Sequence, residues 1–263
     1  MRTRDLPTLM KVGFAAMVAY RAEMLIWILT VTAPIISLLV WDRVAEGGPM
    51  GRFDQATLGR YFLATIVVRQ FSGAWIAWVL NYEIRTGGLN APLLKPSNPL
   101  WYYVAENLAS HPFRLVVLVP LLGLLVLWRP EFAFIPDPTA LALGVTAVAL
   151  AWAINFASQV AFGALAFRLQ QSLGLFNTWF GLSMLLSGYL FPLELAPRWA
   201  RPVLNALPFR AMVATPVETL TGLRGPAEAL QAVGVQALWL GFFTALAALL
   251  WRRGIRHYEA VGA

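Results

Sequence analysis

The sequence predicts an all-α membrane protein. We expect six transmembrane helices, an N-terminal helix in the membrane plane, a short helix after the second span and a re-entrant segment before the sixth. Hydrophobic residues make up 59% of the 263-residue chain and charged residues 13%, whereas soluble domains average about half and about a quarter. The basic residues stand in short clusters between long charge-free runs, as they do beside lipid headgroups.

The same counts bear on several functional classes. There is no cysteine, which excludes disulfides, thiol catalysis and thiolate metal sites. His111 and His257 are far apart in sequence, so we predict no metal site and no catalytic residues. No G-x-x-x-x-G-K-[ST] motif occurs, so the chain carries no P-loop of its own. The net charge of +7 fits an orientation signal, and we predict no nucleic-acid partner.

The spans are predicted from the charge-free runs, because a helix needs about 20 apolar residues to cross the hydrocarbon core. Together they form a single transmembrane domain over residues 1–263. Pro34 lies inside the first span and is expected to kink it. The predicted spans are residues 24–41, 61–80, 108–128, 139–165, 172–191 and 229–251.

Before the first span, Met10, Phe14, Met17 and Val18 fall on one helical face. Basic residues lie before or beside this apolar face. Such a pattern is typical of an amphipathic helix in the headgroup plane. A longer first span with a frayed start is the alternative.

Charge bias predicts the orientation. With both termini in the cytoplasm, the cytoplasmic segments hold ten Lys or Arg and three acidic residues, whereas the external segments hold eight and seven. Basic residues close to span ends weigh most in the positive-inside rule. The sequence therefore predicts a multi-pass protein of the bacterial inner membrane with cytoplasmic N- and C-termini, in contact with membrane lipid.

Between the fifth and sixth spans lies a segment that is too apolar for a linker. Prolines divide it into short pieces, and we expect one or two short helices that dip into the outer leaflet. Irregular backbone at that depth is tolerated only when it packs on protein. A surface loop with amphipathic pieces is the alternative. The residues that mark this re-entrant segment are Gly188, Pro192, Pro197, Pro208, Phe209 and Pro216.

The segment after the second span, residues 82–96, has the pattern of a short amphipathic element. Gly87 and Gly88 predict a turn. Leu89, Leu93 and Leu94 then form an apolar ridge at helical spacing. An exposed ridge of this kind suits a groove on a partner protein. An ordinary inter-span turn whose leucines rest on the bilayer is the alternative.

This segment resembles the coupling-helix region of type-2 ABC transporter permeases, the membrane subunits of ABC exporters. The branch most similar to it, which includes uncharacterised and toxic-compound exporters, has a loop of the form I-R-x-G-x-L-x-x-x-L-L-x-P. The matching positions here are Ile84, Arg85, Gly87, Leu89, Leu93, Leu94 and Pro96. Further matches are residues 187–193 with Pro197, residues 207–209 with Pro216 and Gly222, and residues 256–258 with 262–263. The resemblance covers nearly the whole chain in order.

The resemblance implies a complex of two membrane subunits and two copies of a separate ABC ATP-binding subunit. This chain would be non-catalytic and without a cofactor, and the partner would bind ATP and Mg. The second permease would be another copy or a similar sister chain. The substrate would be amphipathic, lipid-like or drug-like. The ATPase-coupling residues implied are Glu83, Ile84, Arg85, Gly87, Gly88, Leu89, Leu93 and Leu94.

Polar residues inside the spans are candidates for a substrate path. Arg69 lies midway along the second span, where a charge costs about 2.5–3.5 kcal/mol. Asn155 and Gln159 share a face of the fourth span, and Asn177 and Ser187 lie in the fifth. A shifted span with a snorkelling Arg69 and hydrogen bonds between helices are the alternatives.

A second polar group, formed by Glu106, His111 and Arg114, stands where the third span begins. We expect an interfacial cluster there. Two other classes of protein stay open, an ATP-independent membrane carrier and a membrane-embedded transferase. Inverted repeats would favour the carrier, and clustered acids or a Ser–His pair the transferase.

Overall fold

The computed structural model describes residues 32–95, 98–169, 172–256 and 258. Helices make up most of this part of the chain, and it contains no β-strand. The predicted N-terminal in-plane helix lies outside the described residues. The helices are α1 Thr32–Ala45, α2 Gln55–Ser72, α3 Ile76–Thr86, α4 Asn90–Leu93, α5 Leu100–Ala109, α6 His111–Trp128, α7 Pro138–Ala164, α8 Ser172–Leu186, α9 Arg201–Ala206, α10 Pro208–Met212, α11 Ala214–Leu220 and α12 Pro226–Ile255.

Four helical stretches are long and apolar enough to cross a membrane: residues 55–86, 100–128, 138–167 and 226–255. The apolar helix α8 has 15 residues, fewer than the roughly 20 that a straight crossing needs. The first predicted span begins outside the described residues, and α1 covers its second half. The prediction of an all-α membrane protein is confirmed, whereas six crossings remain a prediction.

Helix α7 lies at the centre of the bundle and packs against α2, α3, α8, α10, α11 and α12. Its inward face is built from small residues, including the fully buried Ala147 and Ala151. A Cβ on Gly144 would lie 2.3 Å from Leu220, and one on Gly163 would lie 2.8 Å from Leu80. Small side chains of this kind let membrane helices approach closely, which explains how one helix contacts so many others.

The helices extend past the charge-free runs because charged residues near a helix end need not terminate it. Helix α2 begins six residues before the predicted start of the second span, at Gln55. The Asp54 carboxylate accepts a hydrogen bond from the Thr57 backbone N–H at 2.8 Å and caps the helix. Asp137 caps α7 in the same way, and Pro138 occupies its first turn.

Replacing Asp54 by Ala is expected to lower the stability of the protein by about 1 kcal/mol, the usual cost of losing an N-cap. Hydrogen bonds from Thr57 lower the pKa of the Asp54 carboxyl below its ordinary value. Because the folded-state pKa is the lower one, this stabilisation is present above the unfolded pKa and is lost as the pH falls through the folded pKa. Thermal unfolding in detergent at several pH values measures both effects.

Asp54→Asn is the matched control, since an amide oxygen still caps the helix but does not titrate in this range. An Asp54→Ala variant that melts with the native protein at neutral pH would contradict the capping role.

The two ends of the segment between α8 and α12 pack against the bundle, whereas residues 197–203 between them are largely exposed. A chain reversal at Gly188, whose φ is +89°, starts the segment, and Tyr61 donates a hydrogen bond to the Gly188 carbonyl at 2.7 Å. The Ala214 N–H bonds to the Ser187 carbonyl at 2.9 Å. Residues 211–219 are buried throughout. This is the protein-packed arrangement that a re-entrant segment requires, although its depth in a membrane stays a prediction.

A buried ion cluster holds this segment together. The Glu218 carboxylate is 1% exposed and receives hydrogen bonds from Arg210 at 2.7 and 2.9 Å and from Arg224 at 2.7 Å. Two guanidinium groups thus compensate one buried carboxylate, which would otherwise be costly to bury. No sequence pattern pointed to this cluster, because the three residues belong to α10, α11 and the loop after it.

Candidate functional site

The second membrane helix is broken. Helix α2 ends at Ser72 and α3 begins at Ile76, and the Gly73 N–H closes α2 on the Arg69 carbonyl at 3.2 Å. Around this break, backbone carbonyls and N–H groups lose their helical partners. Inside a bilayer such groups must be satisfied by protein. Three side chains from neighbouring helices do this.

Two of these side chains come from the start of α6. Arg114, 2% exposed, donates to the Gln70 carbonyl and, at 3.3 Å, to the Gly73 carbonyl. The His111 Nε2 atom lies 3.1 Å from the Phe71 carbonyl oxygen, and its ring stacks on the Phe71 ring with centroids 5.5 Å apart. Arg114 of the predicted interfacial cluster is therefore buried against the break, and its depth in the membrane stays a prediction.

The third side chain is Gln159 of α7. Its amide nitrogen donates to the Ala74 carbonyl at 2.6 Å, and its amide oxygen accepts from the N–H groups of Ile76 and Ala77 at 2.9 and 3.3 Å. Gln159 therefore caps the N-terminus of α3 from another helix. Sequence analysis predicted that Gln159 lines a substrate path, whereas in the structure its side-chain amide bonds to the backbone at the helix break. A role in the path stays a prediction.

One turn before the break, Arg69 sits between aromatic rings. Its guanidinium carbon lies 5.4 Å from the centroid of the Tyr189 ring and 5.8 Å from that of Phe180, within the range of cation–π attraction. Arg69 is half-buried. Among the residues that the structure describes, no carboxylate lies within salt-bridge distance of it. The cation therefore has no acidic counterpart there.

The Arg69 cavity is a small space of about 10 Å³ beside this guanidinium. Three of the predicted path residues, Arg69, Asn155 and Ser187, line it together. Asn177 does not, since it is exposed on α8. The other lining residues are Ser183, Met184, Tyr189, Met212 and Val213. Tyr189 was not predicted, although its place inside the 187–193 motif was a signal for it.

An apolar groove of about 350 Å³, here called the aromatic groove, lies between α7, α8 and α12. Trp179 of α8 packs on Phe243 of α12 with ring centroids 5.5 Å apart. Trp239 stacks on Phe243 at 5.9 Å. The rings of this groove come from runs that are apolar on every side, so no periodic pattern in the sequence marks the groove as a whole. The lining residues are Ala161, Phe162, Leu165, Trp179, Pro208, Trp239, Phe242, Phe243, Leu246 and Leu250.

At its other end α3 leads into the predicted coupling segment. Gly87 adopts φ +77° and ends the helix in the left-handed conformation common at helix C-termini, and the Leu89 N–H bonds back to the Glu83 carbonyl at 3.3 Å. The short helix α4 follows. The predicted Gly turn is thus present, and only glycine adopts this backbone conformation without strain.

The prediction of an exposed leucine ridge is wrong for Leu89. Leu89 is 0% exposed and packs in a core cluster with Ile84 and Trp251. Leu93 is half-buried against the same core cluster. Leu94, by contrast, is 89% exposed. Glu83 also points inward, since it accepts a hydrogen bond from the Tyr103 hydroxyl. The surface that the segment presents, here called the coupling surface, consists of Tyr82, Arg85, Thr86, Gly88, Ala91, Leu94 and Lys95.

Apolar helices of spanning length, one of them broken and braced by buried polar side chains, define a multi-pass membrane protein. Residues 55–262 match the ABC-2 family transporter protein family. The chain belongs to that family and is a permease of an ABC transporter, as the sequence resemblance predicted. Proteins of this kind typically partner with an ATP-binding subunit and are generally the non-catalytic membrane component of the transporter. Neither the curated proteins nor the solved structures gave a match.

Proposed function

We propose that this permease is the membrane subunit of an ATP-driven exporter. It moves an amphipathic, lipid-like or drug-like substrate out of the cytoplasm or the inner leaflet by alternating access. The complex contains two permease subunits and two copies of a separate ATPase that binds ATP and Mg. The second permease is a second copy of this chain or a similar sister chain.

One observation carries the mechanism. Helix α3 joins the coupling surface at one end to the braced break and the Arg69 cavity at the other. Its 11 residues span about 16 Å at 1.5 Å per residue. A push on the coupling surface therefore reaches the break through a single rigid element. Because the break has few helical hydrogen bonds of its own, it is the natural pivot for α3.

Purification of the full-length chain from its native membranes is expected to bring down an ATPase with a P-loop in a one-to-one ratio. Vesicles containing both should move substrate only with ATP and Mg. Transport by the permease alone without nucleotide would contradict the proposal and favour a carrier. Covalent turnover of a substrate by the permease alone would favour the membrane-embedded transferase.

The orientation is tested with single cysteines, for which the chain needs no prior changes because it contains none. Both Gly88 and Arg198 are exposed. In intact cells, a membrane-impermeant thiol reagent is expected to label Arg198→Cys and to leave Gly88→Cys unlabelled until the membrane is opened. The reverse pattern would contradict the proposed orientation in the inner membrane, in which both termini and the coupling surface face the cytoplasm.

A further inference from the structure

Among the described residues, no carboxylate neutralises the positive charge beside the Arg69 cavity. Arg69 belongs to the spanning stretch of residues 55–86 and makes no salt bridge with a carboxylate of the described part of the chain. The polar side chains of Asn155 and Ser187 line the same cavity. A guanidinium in an apolar setting, with hydrogen-bonding groups around it, matches a carboxylate or phosphate oxygen.

The aromatic groove adjoins this cavity along two helices. Helix α8 contributes Trp179 to the groove and, one turn later, Ser183 to the cavity. Helix α10 does the same with Pro208 and Met212. Residues four apart lie on one face of a helix, about 6 Å from each other along its axis. The polar cavity and the apolar groove therefore form two consecutive parts of one surface.

We propose that this surface binds an anionic amphipath. Its single carboxylate or phosphate headgroup pairs with Arg69, and its hydrocarbon tail lies in the aromatic groove among Trp179, Trp239 and Phe243. A cationic headgroup is repelled, because the Arg69 guanidinium beside the cavity carries positive charge. That the bound amphipath is also the exported substrate rests on the proposed function, whereas its binding does not.

The wall that admits the headgroup is α8. The Arg69 cavity of about 10 Å³ holds the volume of about one water molecule, so one side must move when a headgroup enters. Only Ser172 and Phe176 of the α8 residues are buried, whereas α7 has a long buried face. Because α8 is held by few buried side chains, it moves at a lower cost than α7.

Tryptophan quenching by brominated lipids in neutral detergent tests this binding on the purified full-length permease. The probes are dibromostearate, the same dibrominated chain with a phosphate headgroup, and the uncharged methyl ester of dibromostearate. Bromine in the groove quenches Trp179 and Trp239. We expect both acids to bind about tenfold or more tightly than the ester, since a lost charge-assisted hydrogen bond weakens binding by about that factor. Tighter binding by one of the two acids identifies the preferred headgroup.

Arg69→Gln should remove the preference for the acids, and Arg69→Lys should keep part of it because the charge remains. Arg60→Gln is the matched control, since Arg60 lies on the same helix but is exposed. Equal binding of acid and ester by the native protein would overturn the proposal, as would native acid binding by a folded Arg69→Gln variant. If Arg69→Gln does not fold, the comparison of acid and ester binding by the native protein is sufficient to decide.

No ATPase and no transport enter this measurement. A failed transport assay would therefore contradict the exporter function but not the anionic site. Equal binding of acid and ester would contradict the anionic site but not the exporter function.

Discussion

Replacing Leu94 by Asp is expected to uncouple the permease from its ATPase without unfolding it. Leu94 is the leucine of the coupling surface, with 89% of its area accessible. If this surface docks in a groove of the ATPase, a carboxylate there is buried without a partner, which costs about 2 kcal/mol or more. The apparent affinity for the ATPase should then fall at least about tenfold, and ATP-driven transport in vesicles with it.

Ile135→Asp is the matched control, because Ile135 is 97% exposed in the loop between α6 and α7. Both variants should elute and melt like the native protein, and only Leu94→Asp should lose coupling. Native coupling in Leu94→Asp would contradict the docking role. Leu89→Asp is unsuitable for this test, since Leu89 is 0% exposed and an aspartate there would disrupt the core.

Replacing Gln159 by Leu is expected to destabilise the break in the second membrane helix. The change leaves the Ala74 carbonyl and the N–H groups of Ile76 and Ala77 without the partner that Gln159 supplies. An unsatisfied buried polar group costs about 1–3 kcal/mol, so the loss amounts to several kcal/mol. Thermal unfolding in detergent should show it as a clear fall in Tm.

Two further variants separate stability from coupling. Gln159→Glu keeps the acceptor for Ile76 and Ala77, and its protonated carboxyl can still donate to the Ala74 carbonyl, so its loss should be smaller. Gln236 is also fully buried and donates to the Ala147 and Ala211 carbonyls at 3.0 and 2.7 Å, away from the break. Gln236→Leu should lower the Tm but not coupling per folded molecule. Equal uncoupling by Gln159→Leu and Gln236→Leu would show that the break has no special role.

These two predictions concern opposite ends of α3. Leu94 belongs to the surface that an ATPase would contact, and Gln159 braces the end next to Arg69. In the proposed mechanism, the docking surface is separate from the substrate region, and one short helix links the two. A membrane helix that is broken near its polar residues is a common way to place charged and dipolar groups at the depth of a substrate.

Much of the architecture was predictable because membrane insertion imposes simple rules on a sequence. Charge-free runs located the apolar helices of residues 138–167 and 226–255, since only helices satisfy their own backbone in lipid. The Gly87–Gly88 turn followed from glycine alone. Leu89 illustrates the limit. Helical spacing groups Leu89 with Leu94, but spacing does not say which member of an apolar ridge packs on the protein.

The candidate site shows the same division. Arg69, Asn155 and Ser187 were recognisable as polar residues inside apolar runs, and the fold brings them to one cavity. The partners of the helix break were not recognisable. His111, Arg114 and Gln159 lie 40 to 85 residues from the backbone groups that they contact at the break, and no local pattern encodes a contact over that separation.

By itself the sequence determined the class of protein, its apolar helices, the glycine turn after the second span and the resemblance that the family match bears out. Hydrophobic length, charge placement and glycine act locally, so they can be read along the chain. Only the tertiary structure decided which leucine is exposed, which side chains close the broken helix and which rings flank Arg69. Those outcomes depend on long-range packing around α7, where small residues let other helices approach closely enough for buried polar groups to meet.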